Sequence, residues 1–375
     1  MPHPSSHFHP YPKISHKTKS SPSSTSQLFC VTEKCHGSNF VFVIEPDLSV
    51  RCAKRKEFLE SDDTFFGFRT VLVKMKQRVA ELAAKMHEQF GSDKWVYLYG
   101  ELAGGFFPGA THDESDTQPV QTGVWYSNDL IFYAFDIGIQ TVKEKSKSVL
   151  HNEEPLLKET HFEFVDYEQA LSLFREYNIL HSEPLFVGPY HKCLEFKLGF
   201  RSTIPSKLGM PPLNDENKAE GVVVKPYREM TPASQRPMTK LKIVEFEERS
   251  DVYDQSTKAH NSSDSTPLNS ALYEMYPLIT ENRYANTVSK TGPINGDSAR
   301  ANEVLEAFEQ DVIEEMLEEN STLFDCLMGH EMKQLREQLR TLCKKCIIKS
   351  EKAQKKRLKR TKLVSAKNER GECSG

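Results

Sequence analysis

The chain has 375 residues, enough for two domains with tails, and 38% hydrophobic and 10% aromatic residues can fill a sizeable core. A net charge of −4 excludes a protein that holds polyanions by bulk charge, so any such site must be a local basic patch. No apolar run approaches the ~20 residues needed to span a bilayer, and eight scattered cysteines read as reduced thiols, not a disulfide framework.

The first 27 residues are rich in His, Ser, Lys and Pro, with no acid, no Arg and no apolar stretch of a signal peptide. The expectation is an intracellular protein, cytoplasmic or nuclear, with no clear targeting segment. From Leu28 to about Glu248 the pattern is strand-rich. Phe40–Ile44, Val96–Tyr99, Ile131–Phe135 and Gly221–Val224 are β-branched and aromatic runs, apolar enough for interior strands. Phe68 to Phe90 reads as a helix ended by Gly91, and Tyr167 to Tyr177 as another, with Ala170, Leu171, Leu173 and Phe174 on one side. No βαβ rhythm appears, so the expected fold is α+β with antiparallel sheets and flanking helices.

Composition changes at Ser250, where a Ser, Asp, Asn and Thr-rich stretch reads as a linker. The chain beyond the linker is helical, most strongly over Ala299–Leu317, where Val304, Leu305, Phe308, Val312, Ile313 and Leu317 recur at helical spacing. Cys343-x-x-Cys346 supplies half a zinc site and reads as helix filler. Lys344 to Lys367 carries eleven Lys or Arg against one acid, Glu351. Such a run reads first as a solvated, disordered tail, second as a phosphate-tracking segment, and also fits a nuclear import signal. The expected organisation is a catalytic domain over 1–249, a linker over 250–269, a helical domain over 270–346 and a basic tail over 347–375.

The strongest local signal is Val31-Thr-Glu33-Lys34-Cys-His36-Gly37-Ser-Asn39-Phe40. An apolar stretch before it and a strand after it put Lys34 and Gly37 on a tight turn, where glycine lets a ligand approach the backbone. An unperturbed lysine is mostly protonated at neutral pH. To serve as a nucleophile it must be buried, or sit beside cations or a metal, which destabilise the ammonium. Attack on the α-phosphate of a nucleotide then gives a lysyl phosphoramidate and pyrophosphate, and calls for phosphate-binding cations, a metal site and a stacking ring.

The chain supplies these parts in order. Arg51-Cys-Ala-Lys54-Arg55 is a basic cluster, and Tyr99-Gly-Glu101-Leu-Ala-Gly104 ends a strand with an acid suited to a ribose hydroxyl. Phe132-Tyr-Ala-Phe135-Asp136 is an aromatic strand. Glu220-Gly-Val-Val-Val-Lys225 has an acid for a hard cation at one end, and Lys240-Leu-Lys242 puts two ammoniums on one strand face. Each has a bland alternative: a surface turn with an ordinary lysine, a strand-end acid, a core ring, a solvated strand face.

Taken together, these motifs resemble the covalent nucleotidyltransferase superfamily of ligases and capping enzymes. Lys34-Cys-His36-Gly-Ser-Asn39-Phe40, with His where DNA ligases and capping enzymes have Asp, is similar to the RNA ligase 2 family. So are Cys52-Ala-Lys-Arg55, Tyr99-Gly-Glu-Leu-Ala-Gly104, and a helical C-terminal part opening with Thr280-Glu-Asn-Arg283 and Ser289-Lys290. The resemblance covers roughly residues 8 to 345 and implies an ATP-dependent RNA ligase that joins a 3′-hydroxyl to a 5′-phosphate through lysyl-AMP and RNA-adenylate. It implies that Lys34 is adenylylated, that Glu33 neighbours the adenine edge through its backbone, and that Arg55 and Asn39 contact the AMP phosphate. His36 would serve the later steps, Glu101 the ribose, Phe135 the adenine face, Glu220 the metal, and Lys225, Lys240 and Lys242 the phosphates. ATP is then a substrate, Mg²⁺ or Mn²⁺ the metal, and the partner a nicked or bridged duplex RNA, bound by a monomer without a membrane. Asp136 belongs to the family pattern without an assigned role. Residues 107–128 form a polar insertion, read as a mobile loop, and the basic tail has no family counterpart. The alternatives are a catalytically silent RNA-binding module of the same fold, or a capping-enzyme or DNA-ligase type nucleotidyltransferase.

Overall fold

In a computed structural model the described residues are 8–14, 27–109, 119–121, 123–143, 159–213, 216–228, 231–232, 236–243, 246, 267–319 and 324–371. The chain divides into two compact units, 1–245 and 246–375. Most of the expected 250–269 linker lies outside the described residues.

The first unit holds two antiparallel sheets. Strands β1 (Leu28–Glu33), β7 (Pro184–Pro189), β8 (Gly221–Pro226) and β10 (Thr239–Lys242) form one, in the order β10-β8-β1-β7. The larger takes β2 (Ser38–Ile44), β3 (Val50–Lys54), β4 (Lys94–Gly104), β5 (Leu130–Lys143), β6 (Glu159–Phe164) and β9 (Thr231–Pro232), in the order β3-β2-β4-β5-β6-β9. Strand alternation sorts the larger sheet's two faces. Val96, Leu98 and Leu102 of β4 join the main core, which helices α1 (Arg69–Phe90) and α2 (Tyr167–Glu176) cover. Tyr97 and Tyr99 enter an aromatic cluster on the other side with Phe162 and Phe164. Two further helices, α3 (Tyr190–Leu194) and α4 (Ile204–Lys207), are single turns.

Both expected helices form for the expected reason. On α1 the buried residues are Val71, Val79, Leu82, Ala83 and Met86, one stripe of a 3.6-residue repeat, and Gly91 ends the helix at φ 108° with its N–H on His87 O. On α2, Asp166 caps the start by accepting from Gln169 N, and Ala170, Leu171, Leu173 and Phe174 are buried.

The second unit is helical: α5 (Pro267–Met275), α6 (Glu281–Thr291), α7 (Ser298–Glu319) and α8 (Gly329–Gly371). On α7, Val304, Leu305, Phe308 and Val312 are buried as the spacing predicts, but Met316 takes the last core position and Leu317 is exposed. Cys343 is fully buried with Leu335 and Leu339, a packing role. One expectation changes. The chain beyond Cys346 does not leave the helix; α8 continues to Gly371. Its run of Lys, Arg, Ala, Gln and Leu is made of strong helix formers with no Gly or Pro before that glycine, so charge alone does not break it. Among the described residues, no helix is long and apolar enough to cross a membrane.

Candidate active site

The turn after β1 links the two sheets. Lys34 N donates to Gly221 O at 3.0 Å, extending the β1–β8 ladder by one residue, and at Ser38 the chain has entered the other sheet as β2. The Lys34 turn is therefore no hairpin; it crosses from sheet to sheet. Two contacts fix it. A Cβ on Gly37 would collide with the Leu102 carbonyl of β4, so only glycine lets the turn lie this close. His36 N donates to the buried Tyr126 hydroxyl at 2.8 Å. Tyr126 lies in the stretch expected to be a mobile loop, but the described part is tied down: Trp125 exchanges two hydrogen bonds with Asn217, at 2.8 and 2.7 Å. Residues 110–118 and 122 lie outside the described residues.

Three of the expected site residues converge on one acid. Glu220, 1% exposed, accepts from Lys34 Nζ at 2.7 Å through Oε2, with His36 Nδ1 3.3 Å from the same oxygen, while Oε1 lies 3.0 Å from Lys242 Nζ. Burial raises a carboxyl's proton affinity, but Lys34, Lys242 and His36 hold Glu220 well below the usual range. Lys34 is the open member, 21% exposed against 3% for Lys242. Both oxygens of Glu220, the residue expected to hold the metal, thus lie against Lys34 and Lys242. Lys240 is half-buried on the same strand face as Lys242, with Leu241 packed behind.

Asn39 and Glu101 are register partners on β2 and β4, beside the turn. Asn39 Oδ1 and Glu101 Oε2 are buried acceptors with no hydrogen-bond partner among the described residues. Native proteins rarely leave such atoms unmatched, so these call for a ligand donor or a hard cation. Burial pushes the Glu101 carboxyl up to about 7, against the pull of Lys34 and Arg55. Arg55, half-buried after β3, thus belongs to the same field.

Three expected residues make their side-chain contacts outside the Glu220 cluster. The Glu33 side chain is turned away: its carboxylate accepts from Thr203 N at 2.8 Å, Thr203 Oγ1 at 2.6 Å and Ser202 Oγ, leaving only its backbone for a nucleotide. Phe135 is the extra residue of a bulge, since Tyr99 pairs with Asp136 and Gly100 with Ala134. Its ring meets Tyr11 edge-on at 4.9 Å. Lys225 does not join the Glu220 cluster. Four residues beyond Gly221 on an extended strand, roughly 13 Å along, its ammonium is 3.2 Å from Asp136 Oδ1 and lies over the Tyr167 ring.

Asp136 is thereby a second hub. It accepts from Arg236 Nη2 at 2.9 Å and from the Tyr11 hydroxyl at 2.6 Å, and all four polar side chains are buried. Burial raises its proton affinity; Arg236 and Lys225 reverse this and keep it below the usual carboxylate value. Arg236 Nε and Nη1 are buried with no hydrogen-bond partner among the described residues, and its guanidinium lies over the Phe164 ring. Sequence reasoning missed Tyr11, Tyr126 and Arg236. Tyr11 alone left a signal, since Phe8-x-x-Tyr11-x-x-Ile14 is an apolar rhythm inside a polar leader.

A family model described as RNA ligase matches residues 27–242, more than half of the chain. The chain belongs to the RNA ligase family. A second model, T4 RNA ligase 2 C-terminal, matches residues 262–345. Two mitochondrial proteins of Trypanosoma brucei brucei are similar to this RNA ligase family member. RNA-editing ligase 2 is 29% identical over 216 residues, 52% of this chain and 48% of that protein. RNA-editing ligase 1 is 27% identical over 266 residues, 63% and 54% of the two. The chain thus spans about half the length of the curated relatives it matches. An archaeal ATP-dependent RNA ligase structure aligns at 15% identity and TM-score 0.33, covering 82% of this chain and 65% of that one.

Proposed function

We propose that this chain is an ATP-dependent RNA ligase in which Lys34 carries AMP, and that it joins a 3′-hydroxyl to a 5′-phosphate in nicked or bridged duplex RNA. The observation that carries the reading is the Lys34–Glu220 contact at the mouth of a buried cation cluster, next to two unmatched acceptors on Asn39 and Glu101. Only the neutral amine of a lysine is a nucleophile. The Lys34–Glu220 contact must therefore open before the α-phosphorus can be reached.

The three-step reaction balances without a redox partner. The Lys34 amine bonds to the α-phosphorus and pyrophosphate leaves; an RNA 5′-phosphate oxygen then displaces Lys34 from that phosphorus. A 3′-hydroxyl finally attacks the RNA phosphorus, and AMP departs. Lys242, Lys240 and Arg55 offset phosphate charge, Glu101 accepts a ribose hydroxyl, and the Phe135 ring faces the base. Among the described residues, no three His, Cys, Asp or Glu side chains are close enough to cage a metal. The donor set fits a divalent cation only with nucleotide oxygens completing it: Glu220, Glu101 and Asn39 would hold Mg²⁺ or Mn²⁺. When bound, that ion would neutralise phosphate charge. His36 shares the Glu220 oxygen with Lys34 and remains beside that carboxylate once Lys34 is modified.

The test is joining of a nicked RNA duplex with ATP. The wild-type protein should seal it, and Lys34→Ala should fail with a 5′-phosphate yet seal a 5′-adenylylated strand, which bypasses the lysine. Sealing by Lys34→Ala from ATP would overturn the assignment.

A further inference from the structure

We propose that the basic extension of α8 is an RNA-duplex grip that lengthens the hold of this ligase on the phosphate backbone; the proposal rests on the RNA-ligase reading. The family match to the C-terminal part stops at residue 345, but α8 runs to Gly371, a further 371 − 345 = 26 residues. At 1.5 Å per residue that is a rod of roughly 39 Å.

The charge on this rod is ordered. At 3.6 residues per turn, positions 345, 349, 352, 356, 359, 360, 367 and 370, all Lys or Arg, fall within roughly 100° of arc. Lys345, Lys349 and Lys352 are exposed. The root of the rod is anchored on α6: Glu351, the one acid of the run, accepts from the Tyr284 hydroxyl at 2.8 Å, and Lys349 pairs with Glu281 at 2.9 Å. The only other acid on the rod, Glu369, falls at the same helical angle as Glu351, off the stripe.

Composition selects the partner. α8 has no Phe, Tyr or Trp anywhere, so it offers no platform for unpaired bases. Its apolar residues beyond Ile348, namely Leu358, Leu363 and Val364, fall at scattered angles, so no apolar face exists to enter a membrane surface. What remains is a stiff row of cations, complementary to the regularly spaced phosphates of a stiff duplex and indifferent to sequence. In a chain of net charge −4 this is the kind of local basic patch that polyanion binding requires.

Two full-length variants carry equal charge changes. One neutralises the stripe by Lys352→Gln, Lys356→Gln, Lys359→Gln and Arg360→Gln; the other neutralises positions off it by Lys344→Gln, Lys355→Gln, Arg357→Gln and Lys362→Gln. Glutamine keeps helix propensity, and circular dichroism confirms unchanged helicity. Affinity for a labelled RNA duplex is measured against salt. The stripe variant should lose about 50-fold or more at 0.1 M salt and lower the log–log salt slope by about 2–4, the release expected for two to four phosphate contacts. The off-stripe variant should lower it by less than about 1. Equal slopes for both variants, or a wild-type slope in the stripe variant, overturn the proposal. So does loss of binding to phosphatidylserine vesicles with RNA binding intact. Labelling of all three proteins from α-labelled ATP is scored separately. Its absence would sink the ligase reading, whereas the salt slopes judge the grip.

Discussion

Among the described residues of the first unit, Glu220 and Asp136 are both buried carboxylates met by basic side chains, and they differ in one respect. Glu220 binds Lys34, His36 and Lys242, and Lys34 is 21% exposed. Asp136 binds Lys225, Arg236 and Tyr11, and neither Lys225 nor Arg236 exceeds 2%. The local chemistry is the same, but one cluster has a removable member at its mouth and the other is sealed into the aromatic core. Burying charges is expensive unless each is paired, so a sealed cluster is an architectural commitment. An open one can give its lysine up to a substrate phosphate, or take a metal in its place, without unfolding anything. The contrast teaches that the position of a lysine along β8 or β1, not its charge, decides whether it works on a substrate or on the fold.

The largest expected effect separates these roles outright. Lys34→Met should reduce ATP labelling of the protein by at least about 10⁴-fold, as for loss of a nucleophile. Its denaturation midpoint should move little, since Glu220 keeps Lys242 and His36. Lys225→Met and Asp136→Asn should do the reverse, destabilising the fold by about 3–5 kcal/mol because each leaves a buried charge with fewer partners. Urea titrations of all three proteins check this; a stable Asp136→Asn protein would dissolve the comparison.

How much of this was legible in the sequence depends on the range of the interactions. The Lys34 turn, the two longer first-unit helices α1 and α2 and the interior strands are legible because each is written within one period of local pattern. Glu220 and Lys242 are legible as site residues through the motif order, although not as the hub and spoke of one carboxylate. The Asp136 cluster is not legible. Its members are separated by 125 residues from Tyr11 to Asp136 and by 100 more to Arg236, and no local periodicity links them. Lys225 carries a phosphate role by resemblance alone, and motif order does not say how far along β8 it lies from Glu220. The charge run after Cys346 misleads for another reason: solvation and helix formation are compatible, and a count of charges speaks only to the first.

A smaller effect comes from Glu101, where burial outweighs the pull of Lys34 and Arg55. Its carboxyl is raised from an ordinary 4.5 to about 7 by burial. The folded state thus binds the proton more tightly, so this stabilisation is complete below about pH 4.5 and is lost as pH rises through 7. Relative to Glu101→Gln, the wild-type protein should lose up to about 3 kcal/mol between pH 4.5 and pH 8. Equal pH profiles for the two proteins, by denaturant titration, would contradict it. Smaller still, Tyr126→Phe leaves the buried His36 N–H without an acceptor, at a cost of about 1–3 kcal/mol. It should slow labelling by ATP more than it weakens ATP binding, since it loosens the turn that aims Lys34. A proportional change in both would mean that Tyr126 serves the fold alone.

The central claim, that Lys34 is the open member of the Glu220 cluster because it must carry the nucleotide, is tested most directly by mapping the adduct. The protein is incubated with ATP and Mg²⁺, digested, and its peptides are sequenced by mass spectrometry. One AMP on the peptide containing Lys34, and none on Lys225 or Lys242, is the predicted result. AMP on another lysine, or an unmodified Lys34 in protein that joins RNA with ATP, would contradict it.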